Sequence, residues 1–97
     1  MSQKKVLDDV VEERTRQTLQ WGGPSHDDTH DAYDWLSYMG HQADKISEVM
    51  TANGYYNFTR TRKRKTPSPE VLREHFIKIA ALAVAAVESL DRKNAKT

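Results

Sequence analysis

Ser68-Pro69-Glu70-Val71-Leu72-Arg73-Glu74-His75-Phe76-Ile77-Lys78-Ile79-Ala80-Ala81-Leu82-Ala83-Val84-Ala85-Ala86-Val87-Glu88-Ser89-Leu90 is the stretch that decides the fold. Ser68 stands where a helix N-cap would be, Pro69 fits the first helical position, and Glu70 follows in the first turn. Leu72, Phe76, Ile79, Ala80, Ala83, Val84, Ala86, Val87 and Leu90 then recur at helical spacing and predict a helix over 69–93. These residues cover more than half of the helix circumference, which predicts burial on two sides. Between 80 and 87 the side chains are small, so another helix can approach closely. About 25 residues at 1.5 Å each give a rod of roughly 37 Å. That is long for a 97-residue chain, and a homodimer packed along it would use the length.

Two further helices lie upstream. Over residues 32–52, Trp35, Leu36, Met39, Ala43, Ile46, Val49 and Met50 recur at helical spacing. Asp31 or Thr29 can cap this helix, Asp34 suits its positive start, and Asn53-Gly54 is a stop. Trp35 and Met39 read as core, and His41 as a flanking, solvated or core-edge residue. Over residues 3–20, Val6, Leu7, Val10 and Val11 share a face, with Asp8, Asp9, Glu12 and Glu13 elsewhere. Glu12 and Arg16, four apart, can pair along the surface. The line through Leu7 and Val11 continues into Arg14 and Thr18, so the stripe turns polar near its end. Arg14 either points into a site or lays its aliphatic stem along the core edge. The expectation is an all-α fold: a single compact bundle of three main helices with a polar loop between the first two, and dimeric.

Composition narrows the chemistry. The chain contains no cysteine, so disulfides and thiolate metal sites are ruled out. No apolar run approaches membrane-spanning length, and the N-terminal Met1-Ser2-Gln3-Lys4-Lys5 lacks the apolar run of a signal peptide. The cytoplasm is the default compartment. Net charge is only +1, yet residues 1–34 carry four basic and eight acidic side chains, and residues 35–97 carry eleven and six. The basic half contains Arg60, Arg62, Lys63, Arg64 and Lys65, following Tyr55, Tyr56 and Phe58. Such a run suits phosphates or an acidic protein patch, with ring stacking beside it. It equally fits a solvated connection over 54–67, and the small net charge ranks nucleic acid below other partners.

The connection between the first two helices, Trp21-Gly22-Gly23-Pro24-Ser25-His26-Asp27-Asp28-Thr29-His30-Asp31, holds two of the four histidines. Gly-Gly-Pro argues against helix at its start. His26, Asp27, Asp28 and His30, with Asp31 and Asp34, offer imidazole and carboxylate ligands to magnesium, manganese or zinc. His26, Asp28 and His30 form the narrowest metal set. Arg14, Arg16 and Trp21 border the same loop and complete a ligand-binding edge. The same residue types also serve turns and helix caps, and that structural role stands beside the functional one. Its expected ligand is a phosphorylated small molecule such as a nucleotide, either bound only or bound and hydrolysed, with a divalent cation. The alternative is a non-enzymatic effector that inhibits a host protein or captures a host signal nucleotide.

Glu13-Arg14-x-Arg16-Gln17, Trp21-Gly22-Gly23, His26-Asp27-Asp28-x-His30, Asp34-Trp35, Ile79-Ala80-Ala81-Leu82-Ala83 and Glu88-Ser89-Leu90-Asp91-Arg92 together resemble a group of small, largely uncharacterised phage and prophage proteins. The resemblance spans nearly all of the chain outside 54–67. It implies a helical fold, phage origin and residence in the host cytoplasm, and brings no particular activity. Glu12-Glu13 with Glu88-x-x-Asp91 is also similar to the all-α nucleotide pyrophosphohydrolases of the MazG type, which hold magnesium with acidic pairs on helices. Here Arg16 stands where that pattern places a further acid.

Overall fold

A computed structural model describes residues 2–52 and 68–95. The chain forms α1 (Gln3–Trp21), α2 (Gly23–Asp27), α3 (Ala32–Ala52) and α4 (Pro69–Ala95), with no strand among the described residues. The three long helices fall where the apolar periodicity places them. The Asn53-Gly54 stop, the basic run from Arg60 to Lys65 and the aromatics before it lie outside the described residues. No helix among the described residues is long and apolar enough to cross a membrane.

Local chemistry sets the helix ends. Ser2 Oγ accepts from the Lys5 backbone N–H at 3.1 Å, a side-chain cap that opens α1. Gly22, at φ 116°, closes α1 in the left-handed region, and its N–H bonds to the Thr18 carbonyl at 2.9 Å. Asp31 and Asp34 form a reciprocal capping box at the start of α3. The Asp34 N–H donates to Asp31 Oδ1 at 2.9 Å, and the Asp31 N–H donates to Asp34 Oδ2 at 3.0 Å. Pro69 opens α4 without losing a helical hydrogen bond.

The connection between α1 and α3 differs from the sequence expectation. Gly-Gly-Pro reads as a breaker, yet residues 23–27 form a helical turn with Pro24 in its first positions. Proline there has no N–H that the turn needs, so it starts the turn instead of breaking it. The expected Glu12–Arg16 pair also differs: Arg16 instead bonds Glu13, three residues back.

α4 is the centre of the bundle. α1 and α3 both pack on it, α2 docks against α1 and α4, and α1 and α3 do not approach each other. Ala81, Ala85 and Ser89, four apart along one line of α4, are buried. Their small side chains let the flanking helices come close. Val10 of α1 and Trp35 and Ile46 of α3 complete the buried apolar set among the described residues. On α1 the inward line runs through Val10 to Gln17, whereas Leu7 and Val11 are exposed. Only one long helix packs along α1, and half of its apolar stripe is left bare. The bundle is thin, with a shortest extent of 21 Å, about two helix diameters.

Candidate functional site

Because α1 and α3 stand apart on α4, a cleft opens between them, closed at one end by α2. Its volume is about 540 Å³, within the range of small-molecule pockets. The floor is Lys78, Leu82 and Ala85 of α4. One wall is the polar edge of α1, with Glu13, Arg14, Arg16, Gln17, Gln20 and Trp21. The opposite wall is Trp35, Tyr38, His41 and Gln42 of α3, and His26, Asp27 and His30 fill the end.

Arg14 is the most unusual side chain here. Only 16% of it is exposed, and it points inward instead of along the core edge. Its Nη2 donates to Asp27 Oδ2 at 3.3 Å and to Glu88 Oε1 at 3.4 Å, and its Nη1 donates to Gln17 Oε1 at 3.5 Å. Charge-assisted bonds of this kind are ordinarily about 2.7–2.9 Å. Its Nε–H is buried without any hydrogen-bond partner, a state that carries a desolvation cost. The guanidinium is therefore held by long bonds and keeps unused donor capacity at the cleft.

Its neighbours are saturated. Glu13 accepts from Arg16 Nε at 2.9 Å and Nη2 at 2.6 Å, and from Gln17 Nε2 at 3.1 Å. The Arg16 bonds hold the Glu13 carboxyl below its ordinary value, and burial opposes them. The same pair raises Arg16, whose Nη1 also reaches Gln20 at 2.7 Å. Buried Gln17 is thus fixed between Glu13 and Arg14.

The α3 wall is aromatic. His30 meets Trp35 and Tyr38 edge to face, each with ring centroids 5.2 Å apart. His26 and His30 approach through their Nε2 atoms at 3.3 Å, because the α2 turn and the bend after it stack residues four apart. His30 Nδ1 faces Asp34 Oδ2 at 3.7 Å. Two imidazole nitrogens on one tetrahedral cation with bonds near 2.0–2.1 Å would stand about 3.3–3.4 Å apart. A nearby carboxylate on the other ring nitrogen is a common second partner of a metal-bound histidine. Among the described residues, no group of three or more His, Asp or Glu side chains is set to hold a metal ion.

Asp28 serves another purpose than the loop-ligand set. Its carboxylate accepts from Ser89 Oγ at 2.9 Å, Arg92 Nε at 3.1 Å and Arg92 Nη2 at 2.8 Å. Lys93 Nζ adds a bond to the His30 carbonyl at 2.6 Å. The hydrogen bond to Asp28 raises the Arg92 guanidinium further. These contacts staple the α2 turn to α4 and fix His26, Asp27 and His30 at the cleft. Of the loop residues singled out from sequence, the structure gathers Arg14, Arg16, Trp21, His26, Asp27 and His30 on the cleft. It places Asp28 on α4 and Asp34 in the α3 cap. Glu88 bonds Arg14 and so belongs to the edge of this network.

Tyr38, Gln42 and Lys78 are cleft residues that sequence reasoning passed over. Their helical periods place them beside the core stripes, and nothing in the sequence says that α1 and α3 part there. Compared with protein-family models, with curated proteins and with solved structures, the chain matches none.

Proposed function

We propose that the cleft binds a small molecule with a planar ring and an anionic group, of the nucleotide class. The observation that carries this is Arg14: a nearly buried guanidinium with long bonds and an unpartnered Nε–H, facing an aromatic wall. A phosphate or carboxylate in the cleft would offer the guanidinium the short, charge-assisted bonds that Asp27 and Glu88 do not supply. Lys78 on the floor, paired with exposed Glu74 at 3.2 Å, adds positive charge beside Arg14. A heteroaromatic ring would stack on Tyr38, which is 41% exposed, while Gln42 and His41 are near enough to read its polar edge. The acids of the cleft limit how much negative charge it can take, which favours one or two phosphates over a polyphosphate or a nucleic-acid backbone.

A divalent cation fits the same place. His26 and His30 would give it two nitrogens, and the bound molecule's oxygens or water would complete the shell. The cation would neutralise phosphate charge and polarise its oxygens.

The chain contains two tryptophans, and both line the cleft, so intrinsic fluorescence reports on it directly. Titration with adenosine mono- and diphosphate should quench that emission saturably, with and without manganese or zinc. Inorganic phosphate alone should bind more weakly, having no ring to stack. Arg14→Met should abolish the response while leaving helical circular dichroism intact. An unchanged emission up to millimolar nucleotide would sink the proposal. Release of phosphate in the same mixtures would assign hydrolysis; saturable binding without release would assign capture of the ligand.

A further inference from the structure

The helix at the centre of the bundle is apolar on two sides, and the other described helices cover only one of them. Ala81, Ala85 and Ser89 face α1 and α3. Half a turn away, the 3.6-residue repeat gathers Phe76, Ala80, Ala83, Val84, Val87 and Leu90 on the opposite side. Phe76 is 58% exposed, Val87 56% and Leu90 53%. No charged residue interrupts this stripe between Phe76 and Leu90. Leu7 and Val11 of α1 are exposed as well, and exposed Leu36 of α3 lies beside Leu90. The cleft lies on the other side of the layer, so this face is free of it.

We propose that this face of α4 packs antiparallel against the same face of a second copy of the chain. Three observations favour a second copy over an unrelated partner. The extent is right: Phe76, Val84, Val87 and Leu90 are 58%, 42%, 56% and 53% exposed, a run of large apolar side chains of the kind that a standard interface of roughly 800 Å² per partner buries. The pattern is self-complementary, as a two-fold interface requires. An axis between Ala80 and Ala83 sets each of these small residues opposite the other, so that the helices cross closely. The same axis places Phe76 opposite Val87 at both ends. The charges match in that register as well. Arg73, whose Nη2 already holds Asp9 of α1 at 2.6 Å and which keeps further N–H donors, lies at one end of the stripe near Asp91 at the other, and Asp91 has no ion pair among the described residues. A parallel pairing would instead set Asp91 against Asp91.

The full chain, of 11.2 kDa, should sediment at twice that mass at micromolar concentration. Ala83→Glu puts two like charges beside the axis and should weaken association by about 100-fold or more. Helical circular dichroism should be unchanged. If Ala83→Glu loses helix, Val87→Lys tests the same face at a more peripheral position. The chain has no cysteine of its own, so engineered thiols give the orientation. Ala80→Cys and Ala83→Cys copies mixed together should cross-link faster than either alone; faster cross-linking of either alone would overturn the antiparallel register. A monomer at all concentrations, or a dimer indifferent to both charge substitutions, would overturn the interface. Nucleotide quenching of the tryptophans should survive in the monomeric variant, which keeps this test separate from that of the cleft.

Discussion

Replacing three glycines by alanine, one at a time, should move stability in opposite directions. Gly22 sits at φ 116° and Gly23 at φ 74°, whereas Gly40 lies within α3. An L-residue in the left-handed region costs roughly 1–2 kcal/mol, and Gly22 is well beyond the centre of that region near about 57°. A Cβ on Gly22 would also stand 3.3 Å from His26 Cβ. That atom is the root of a side chain, so the α2 turn itself must give way. Loss of unfolded-state freedom returns about 0.4–1 kcal/mol to any Gly→Ala change. Gly22→Ala should therefore destabilise by about 1–3 kcal/mol. Gly23→Ala should cost less, about 0.5–1.5 kcal/mol, since its φ is milder and its Cβ meets the Thr18 methyl at 3.3 Å. Gly40→Ala meets nothing within 4 Å and should stabilise by about 0.5–1 kcal/mol. Urea unfolding followed by circular dichroism measures all three, with midpoints shifting at constant slope. Only Gly22→Ala should also weaken ligand quenching, because it alone displaces His26. A Gly22→Ala midpoint equal to or above wild type would refute the α2 geometry, and with it the end wall of the cleft.

Three further outcomes follow from the same contacts. Glu13 is held below its ordinary 4.5 by Arg16, so its stabilisation is complete above that value and is lost as pH falls through the lower folded value; Glu13→Gln should flatten the acid limb of the stability curve, and an unchanged limb would remove the pair. Asp28→Ala leaves the Ser89 hydroxyl, which is 1% exposed, without its acceptor and should lower the urea midpoint while weakening ligand quenching; a variant as stable as wild type would show that the α2 turn is not stapled. Manganese or zinc should raise the melting temperature in a concentration-dependent way that chelator reverses and His30→Ala removes, and no shift at millimolar metal would exclude cation binding by the histidine pair.

The helices were legible because each carries its own period and punctuation: Ser68-Pro69-Glu70 for α4, Asp31 with Asp34 for α3, and the Val6-to-Val11 stripe for α1. The α2 turn was not, because proline reads as a breaker inside a helix yet opens one at its first position. Periodicity says which side of a helix is apolar, but not which neighbour covers it. Val10 and Val11 look alike in sequence, yet one is buried and the other exposed. For the same reason the sequence left two roles open for Arg14. Whether it entered a site depended on α1 and α3 parting over α4, a long-range outcome. Asp28 looked like a loop ligand because its partners Ser89 and Arg92 lie 61 and 64 residues away.

The most direct measurement of the cleft is a nitrogen–proton correlation spectrum of the chain titrated with adenosine diphosphate. The Arg14 Nε–H has no partner in the free protein, so a ligand phosphate should move its resonance downfield, together with the Trp21 and Trp35 indole signals. Backbone signals of Phe76 and Val87, on the far side of α4, should stay in place. Shifts confined to residues outside the cleft, or an Arg14 Nε–H that stays still while the rest of the cleft responds, would contradict the account.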